Sequence, residues 1–250
     1  MFLILLFLLG LVLGSFINVL VIRLWSNESL SGRSFCRQCH KQLKWQHNIP
    51  VLSFIWLRGR CIFCRQPISW QYPIVEILTG LLMASAGVIL GSQFTWLLLA
   101  SLIITFYVVA LVVFDWRYQV LPDVLTLSGA AVMLLINLWL GRPLISLLGG
   151  AGLAAGFFAL QYYISKGNWI GAGDIRLGLW LGLSLGFKAT AVALVLSYWS
   201  GALIGLILLT QKKWHMKSRL PFGVFLSLST WVAWYWGNNL VDWYIRYLGY

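Results

Sequence analysis

Eight apolar runs punctuate the chain, at about residues 2–22, 74–91, 94–114, 120–140, 144–164, 175–187, 189–210 and 221–241. An apolar helix rising 1.5 Å per residue crosses a hydrocarbon core about 30 Å thick in roughly 20 residues. Most of the runs meet that length, and the sixth falls well short. The pattern predicts an all-α polytopic membrane protein with about eight transmembrane helices. Polar residues gather between the first two runs, so the expected division is a first helix at 1–22, a loop at 23–73, and a seven-helix membrane domain at 74–250. Small residues recur four apart as Gly10/Gly14, Gly152/Gly156, Gly178/Gly182/Gly186 and Gly201/Gly205. In lipid such spacings let helix backbones approach closely, so each pair is expected to mark a packing face.

Composition agrees with this reading. Hydrophobic residues make up 60% of the chain and charged residues only 10%. The net charge of +12 is not spread evenly. With the N-terminus outside and the connections alternating, fifteen of the eighteen Lys and Arg fall inside, leaving only Arg142, Lys188 and Arg246 outside. That bias predicts both termini outside and residues 23–73 on the cytoplasmic side. Asp115, Asp123 and Asp174 share that side, and Asp242 lies on the other. The basic residues suit anionic membrane lipid as a partner, and no run forms a nucleic-acid reader. Trp25, Trp116, Trp169 and Trp214 stand where apolar runs meet charge, as interfacial tryptophans do. The first run lacks the basic start and small-residue cleavage site of a signal peptide and is expected to be a retained helix.

All four cysteines lie in the loop, as Cys36-x-x-Cys39 and Cys61-x-x-Cys64, with twenty-one residues between the pairs. This spacing matches a closed tetrahedral zinc–thiolate site, which is structural because no coordination position stays open. A reducing cytoplasm disfavours the alternative of disulfides. Cys36 to His40 also fits a haem-attachment pattern, which would leave Cys61 and Cys64 unexplained. His40 and His47 are expected to be surface residues.

The chain has only six acidic residues, and two occupy costly positions. Asp174 follows Gly171-Ala-Gly173 at the mouth of the short sixth run, and Asp115 ends the apolar run from Phe106 to Phe114. Carboxylates beside hydrocarbon usually face a cavity or a partner and mark function. A helix N-cap is the plain structural alternative for Asp174. Pro122 fits the first turn of the following helix, and Asp123 suits its positive end.

Several motifs in order carry a resemblance to a known family. They are Gly14-Ser-Phe-Ile-Asn18 through Arg23, the cysteine pairs, Asn48 through Ser53, Leu57-Arg-Gly-Arg60 and Ile68 through Thr79. Asp115 to Asp123, Gly171-Ala-Gly-Asp174 and Pro221-Phe-Gly223 complete the series. Over nearly its whole length the chain resembles the prepilin peptidases, membrane aspartyl proteases of the GxGD kind. Trp25, where the family often has Pro, and Arg176, where it often has Lys, are small departures.

The resemblance implies that Asp115 and Asp174 are the catalytic pair. One carboxyl would activate water while the other, protonated, serves the carbonyl oxygen, the two sharing one proton. Gly171, Gly173, Pro122 and Asp123 would support them. The implied substrates are prepilins or pseudopilins, cut after a Gly at the cytoplasmic face of the bacterial inner membrane. Bifunctional members also methylate the new N-terminus with S-adenosylmethionine, and the retained loop points that way; the alternative is a peptidase alone. Asn18, Arg23 and Glu76 are candidates for supporting methylation, or Glu76 for pairing with Arg23. No glycine-rich nucleotide fingerprint marks a site for the methyl donor. A transporter using the same aspartates would place them near the bilayer midplane, whereas here they cluster at one face.

Overall fold

A computed structural model describes residues 1–210 and 220–249. Lys212, Lys213, Lys217 and Arg219, counted on the basic side above, and the interfacial Trp214 lie outside the described residues. The chain forms two compact units, Met1–Val113 and Phe114–Tyr250.

The first unit holds α1 (Phe2–Trp25), a short 3-10 turn (Trp45–Asn48), α2 (Leu52–Trp56), α3 (Gln71–Ile89) and most of α4 (Trp96–Tyr118). Helices α1 and α3 pack backbone against backbone. A Cβ on Gly10 would lie 2.6 Å from the Gly80 Cα, and one on Gly14 would lie 2.7 Å from the Glu76 Cα. No side chain fits there, so the spacing of four on α1 sets the approach of α3.

The second unit holds the end of α4, then α5 (Asp123–Trp139), α6 (Leu144–Ser165), α7 (Ala172–Leu185), α8 (Phe187–Leu209) and α9 (Phe222–Tyr247). Helix α7 packs against all four of α5, α6, α8 and α9, and Leu177, Trp180 and Leu181 are fully enclosed. Gly178 rests on Phe158 and Ala154 of α6, and Gly182 on Gly150 and Ala151. The small-residue expectation therefore holds on α1 and α7 and fails on α6. Gly152 and Gly156 face open space, because the packed face of α6 runs through Gly150, Ala151, Ala154 and Phe158. Gly201 and Gly205 meet only ordinary side-chain contacts.

Among the described residues, eight helices of 14 residues or more occupy the eight predicted runs. Helices α1, α3, α4, α6 and α8 are each long and apolar enough to cross a membrane. Several extend past their apolar runs, because helical hydrogen bonding does not stop at the hydrocarbon edge. Helix α4 continues to Tyr118, so Asp115 sits on its last turns and not in a connecting loop. Helix α7 has 14 residues and is thus about 21 Å long, too short to cross alone.

The last carbonyls of α7 need donors, since no water reaches them in a membrane interior. Asn137 Nδ2 donates to the carbonyls of Leu183 and Ser184, each at 2.8 Å. Arg142 adds a bond to Ser184 at 3.3 Å, its guanidinium lying 4.4 Å over the Trp234 ring. Asp242 pairs with Lys188 at 3.2 Å on this same end of the unit, a helix length from Asp174.

Candidate active site and cysteine loop

Asp115 and Asp174 are held by the starts of two different helices. Helix α9 begins at Pro221, whose side chain cannot cap its free N–H groups. The Asp115 carboxylate does so from α4: Oδ2 accepts the Val224 N–H at 3.0 Å, and the Gly223 N–H also bonds it. Only 5% of Asp115 is exposed, so these donors and the positive end of α9 compensate for burying the group. A Cβ on Gly223 would lie 2.8 Å from that oxygen and would push the carboxylate aside.

Asp174 is the third residue of α7 and is half-buried. Its Oδ2 accepts the N–H of Gly171, the N-cap residue, at 3.2 Å. This is one half of a capping box; the other half is absent because glycine has no side chain. The N-cap therefore falls on Gly171, and the Asp174 side chain folds back over the helix start. Asp115 lies within electrostatic reach of Asp174. Leu121 separates the two helix starts, standing 3.2 Å from where a Gly173 Cβ would be and 3.3 Å from that of Gly223. Gly173 and Gly223 thus let Leu121 and the Asp115 carboxylate pack close against these helix starts.

Pro122 is the N-cap of α5, one position earlier than a first-turn proline, and Asp123 is the first helical residue. Asp123 is exposed and forms an ion pair with Arg176 of α7, tying the starts of these helices together. Sequence reasoning gave Gly223 no role and missed Val224 and Tyr198. The Tyr198 hydroxyl bonds Gln161 at 3.0 Å and lies within electrostatic reach of Asp174. The Pro221-Phe-Gly223 helix start was the one legible signal among them.

In the first unit, the four cysteines converge, with all four Sγ atoms within 4.8 Å of one another and no disulfide among them. Zn–S bonds of about 2.3 Å in a tetrahedron place sulfurs about 3.8 Å apart. The Cys36 and Cys64 sulfurs are 3.9 Å apart, so the donor set fits zinc. The two knuckles repeat one backbone pattern. Cys36 N–H donates to the Lys41 carbonyl and His40 N–H to Cys36; Cys61 N–H donates to Gln66 and Arg65 N–H to Cys61. His40 and Arg65 hold the matching left-handed positions, which makes His40 a turn residue stacked on Phe35. Burial raises the Cys61 thiol pKa, but hydrogen bonds from Cys64 and Phe63 N–H groups and neighbouring thiols outweigh it and bring it down to about 7.

Asn18, Arg23 and Glu76 tie this loop to the helices, and Arg23 and Glu76 have separate partners. The Arg23 guanidinium is buried and donates to the carbonyls of Ser29, Leu30, Ser31 and Arg33 at 2.8–3.1 Å. The Glu76 Oε2 accepts the Val51 N–H at 2.7 Å. Asn18 Nδ2 donates to Gly14 and Tyr72 carbonyls, and its Oδ1 accepts from Gln71. Five carbonyls converging from one turn (Gly32 is the fifth, at 3.5 Å) satisfy Arg23 without any carboxylate.

Comparison with known proteins assigns the architecture. Residues 8–90 match the bacterial peptidase A24 N-terminal domain, and residues 102–206 match the type IV leader peptidase family. The chain belongs to the type IV leader peptidase family. It is 35% identical to a prepilin leader peptidase/N-methyltransferase of Aeromonas hydrophila, covering 96% of this chain and 93% of the relative. The corresponding Legionella pneumophila protein is 37% identical over 86% of this chain and 76% of its own length. That of Pseudomonas aeruginosa is 30% identical over 97% and 93%. No solved structure matches the chain.

The contact between Gly223 and Asp115 makes a specific prediction. Gly223→Ala should lower leader-peptidase kcat about 10²-fold by displacing the carboxylate, with KM nearly unchanged. Steady-state kinetics and a thermal melt in detergent check this; wild-type kcat in a stable variant would refute the contact.

Proposed function

We propose that this protein cleaves the leader peptide from type IV prepilins or pseudopilins and N-methylates the residue exposed. The observation that carries the reading is the proximity of Asp115 and Asp174 at two helix starts, within a family whose relatives bear that name. Each carboxylate has backbone N–H partners on one oxygen, which fixes its direction. One carboxyl takes a proton from water as the oxygen attacks the scissile carbonyl. The other donates its proton to the carbonyl oxygen, and proton return to the amine releases the leader. The dyad titrates as a unit, so acid and base belong to the pair.

Gly171 and Gly173 keep side chains away from the mouth of α7, where an extended substrate segment has to approach. Pro122 and Asp123, with Arg176, hold the start of α5 against that mouth. The excess of Lys and Arg in the loop and around these helix starts supports a cytoplasmic active face, with both termini outside. A prepilin cut there keeps its hydrophobic helix in the bilayer.

The cysteine cluster takes a structural zinc ion, with Cys36, Cys39, Cys61 and Cys64 as thiolate ligands. S-adenosylmethionine supplies the methyl group when bound. The loop carries a cavity of about 480 Å³ lined by Arg33, Lys44, Trp45, Gln46 and Asn48. An aromatic face for adenine, cations for a carboxylate and amides for hydroxyls suit that cofactor. Arg23 shapes its wall by binding the Gly32 and Arg33 carbonyls, and Asn18 and Glu76 fix the ends of the loop.

Purified protein in detergent, given a cognate prepilin, should release the leader after Gly. With S-adenosylmethionine present the mature fragment should gain one methyl group by mass; an uncut substrate would overturn the reading, and cleavage without mass gain would leave a peptidase alone. Metal analysis should find a single zinc ion per chain, lost in Cys61→Ser. Retention of full zinc in that variant would refute the four-thiolate site.

A further inference from the structure

Among the described residues, helix α2 carries an exposed apolar face. Leu52, Ile55 and Trp56 stand at spacings that share one helical side and are 64%, 65% and 77% exposed. Its depth relative to α3 is fixed. Val51, the residue before α2, donates its N–H to Glu76 at 2.7 Å. Phe54, on the opposite side of α2, packs on Trp70 just before α3 at 4.9 Å between ring centroids. Glu76 lies five residues into α3, about 7.5 Å along its axis. Helix α3 is long and apolar enough to span a bilayer. At 19 residues α3 is about 28 Å long, just the hydrocarbon thickness, so its first two turns, Glu76 included, stand close to the edge of the hydrocarbon. Whatever Glu76 holds lies at that level too.

From this tether we infer that α2 is an interfacial anchor, inserting Leu52, Ile55 and Trp56 into a bilayer surface of anionic phospholipid. Charge favours that occupant. Arg58 and Arg60 follow α2 directly and are exposed, and the only acid of the loop, Glu28, is paired with Arg37. An apolar helix face flanked by cations is how in-plane helices bind anionic membranes, and Trp is suited to that depth. The cysteine knuckles would then hang from a membrane-bound platform, held by Glu76 on one side and by lipid on the other.

The test uses the full-length protein in nanodiscs of mixed zwitterionic and anionic phospholipid. A photo-cross-linking benzoylphenylalanine replaces Trp56, or Lys41 in the first knuckle as a control. After irradiation, peptide mass should show lipid adducts at position 56 and none at 41. Anionic lipid should be enriched about fivefold over its mole fraction. An adduct to another part of this chain, an adduct to a second copy, or no adduct would overturn the anchor. Equal yields at both positions would overturn it as well, and adducts without anionic enrichment would refute the charge argument. Should the Trp56 substitution impair folding, the same label at Ile55 gives the same readout.

Discussion

A helix too short to cross a bilayer, enclosed by four longer ones, constrains everything around it. Helix α7 cannot leave its end groups bare in a dry interior, where each unsatisfied peptide group costs several kcal/mol. Its C-terminal carbonyls go to Asn137 and Arg142. At its start Asp174 returns to the Gly171 N–H. That start opens at the surface of the unit, with a half-buried carboxylate on its third residue. The cost of burying an acid is met by the same backbone groups that needed a partner.

Asp115 follows the same logic from the other direction. Proline opens α9 without a capping side chain, so the first N–H groups of α9 remain free, and a carboxylate from α4 fills the vacancy. Two helix starts, each positive, thus draw two negative groups to one place. Glycines at 173 and 223 make room for Leu121 and the Asp115 carboxylate at those starts. Catalysis by an aspartate pair needs this closeness, and here it arises from capping requirements that each helix would have anyway.

Much of this was legible from residue order. The eight apolar runs become helices, and paired Cys-x-x-Cys spacings become one cluster, because both signals are local and repeated. Other features were hidden for physical reasons. Where α4 ends depends on hydrogen bonding and not on hydropathy, so the helix carries Asp115 past the apolar run that ends at Phe114. Gly152 and Gly156 have the right spacing but face the wrong way, since α6 turns its Gly150 and Ala151 side to α7. The partners of Arg23 are carbonyls and one partner of Glu76 is the Val51 N–H, and backbone groups carry no side-chain signature. Capping of α9 by a residue over a hundred positions away leaves no periodic trace.

The central claim is that both carboxylates perform the cleavage. Asp115→Asn and Asp174→Asn keep side-chain volume, and each can still accept the backbone hydrogen bond through its amide oxygen. Prepilin cleavage by each purified variant, alongside its thermal melt, tests the claim most directly. The account predicts loss of cleavage in both while the melts stay within a few degrees of wild type. Near wild-type cleavage by either folded variant would contradict it.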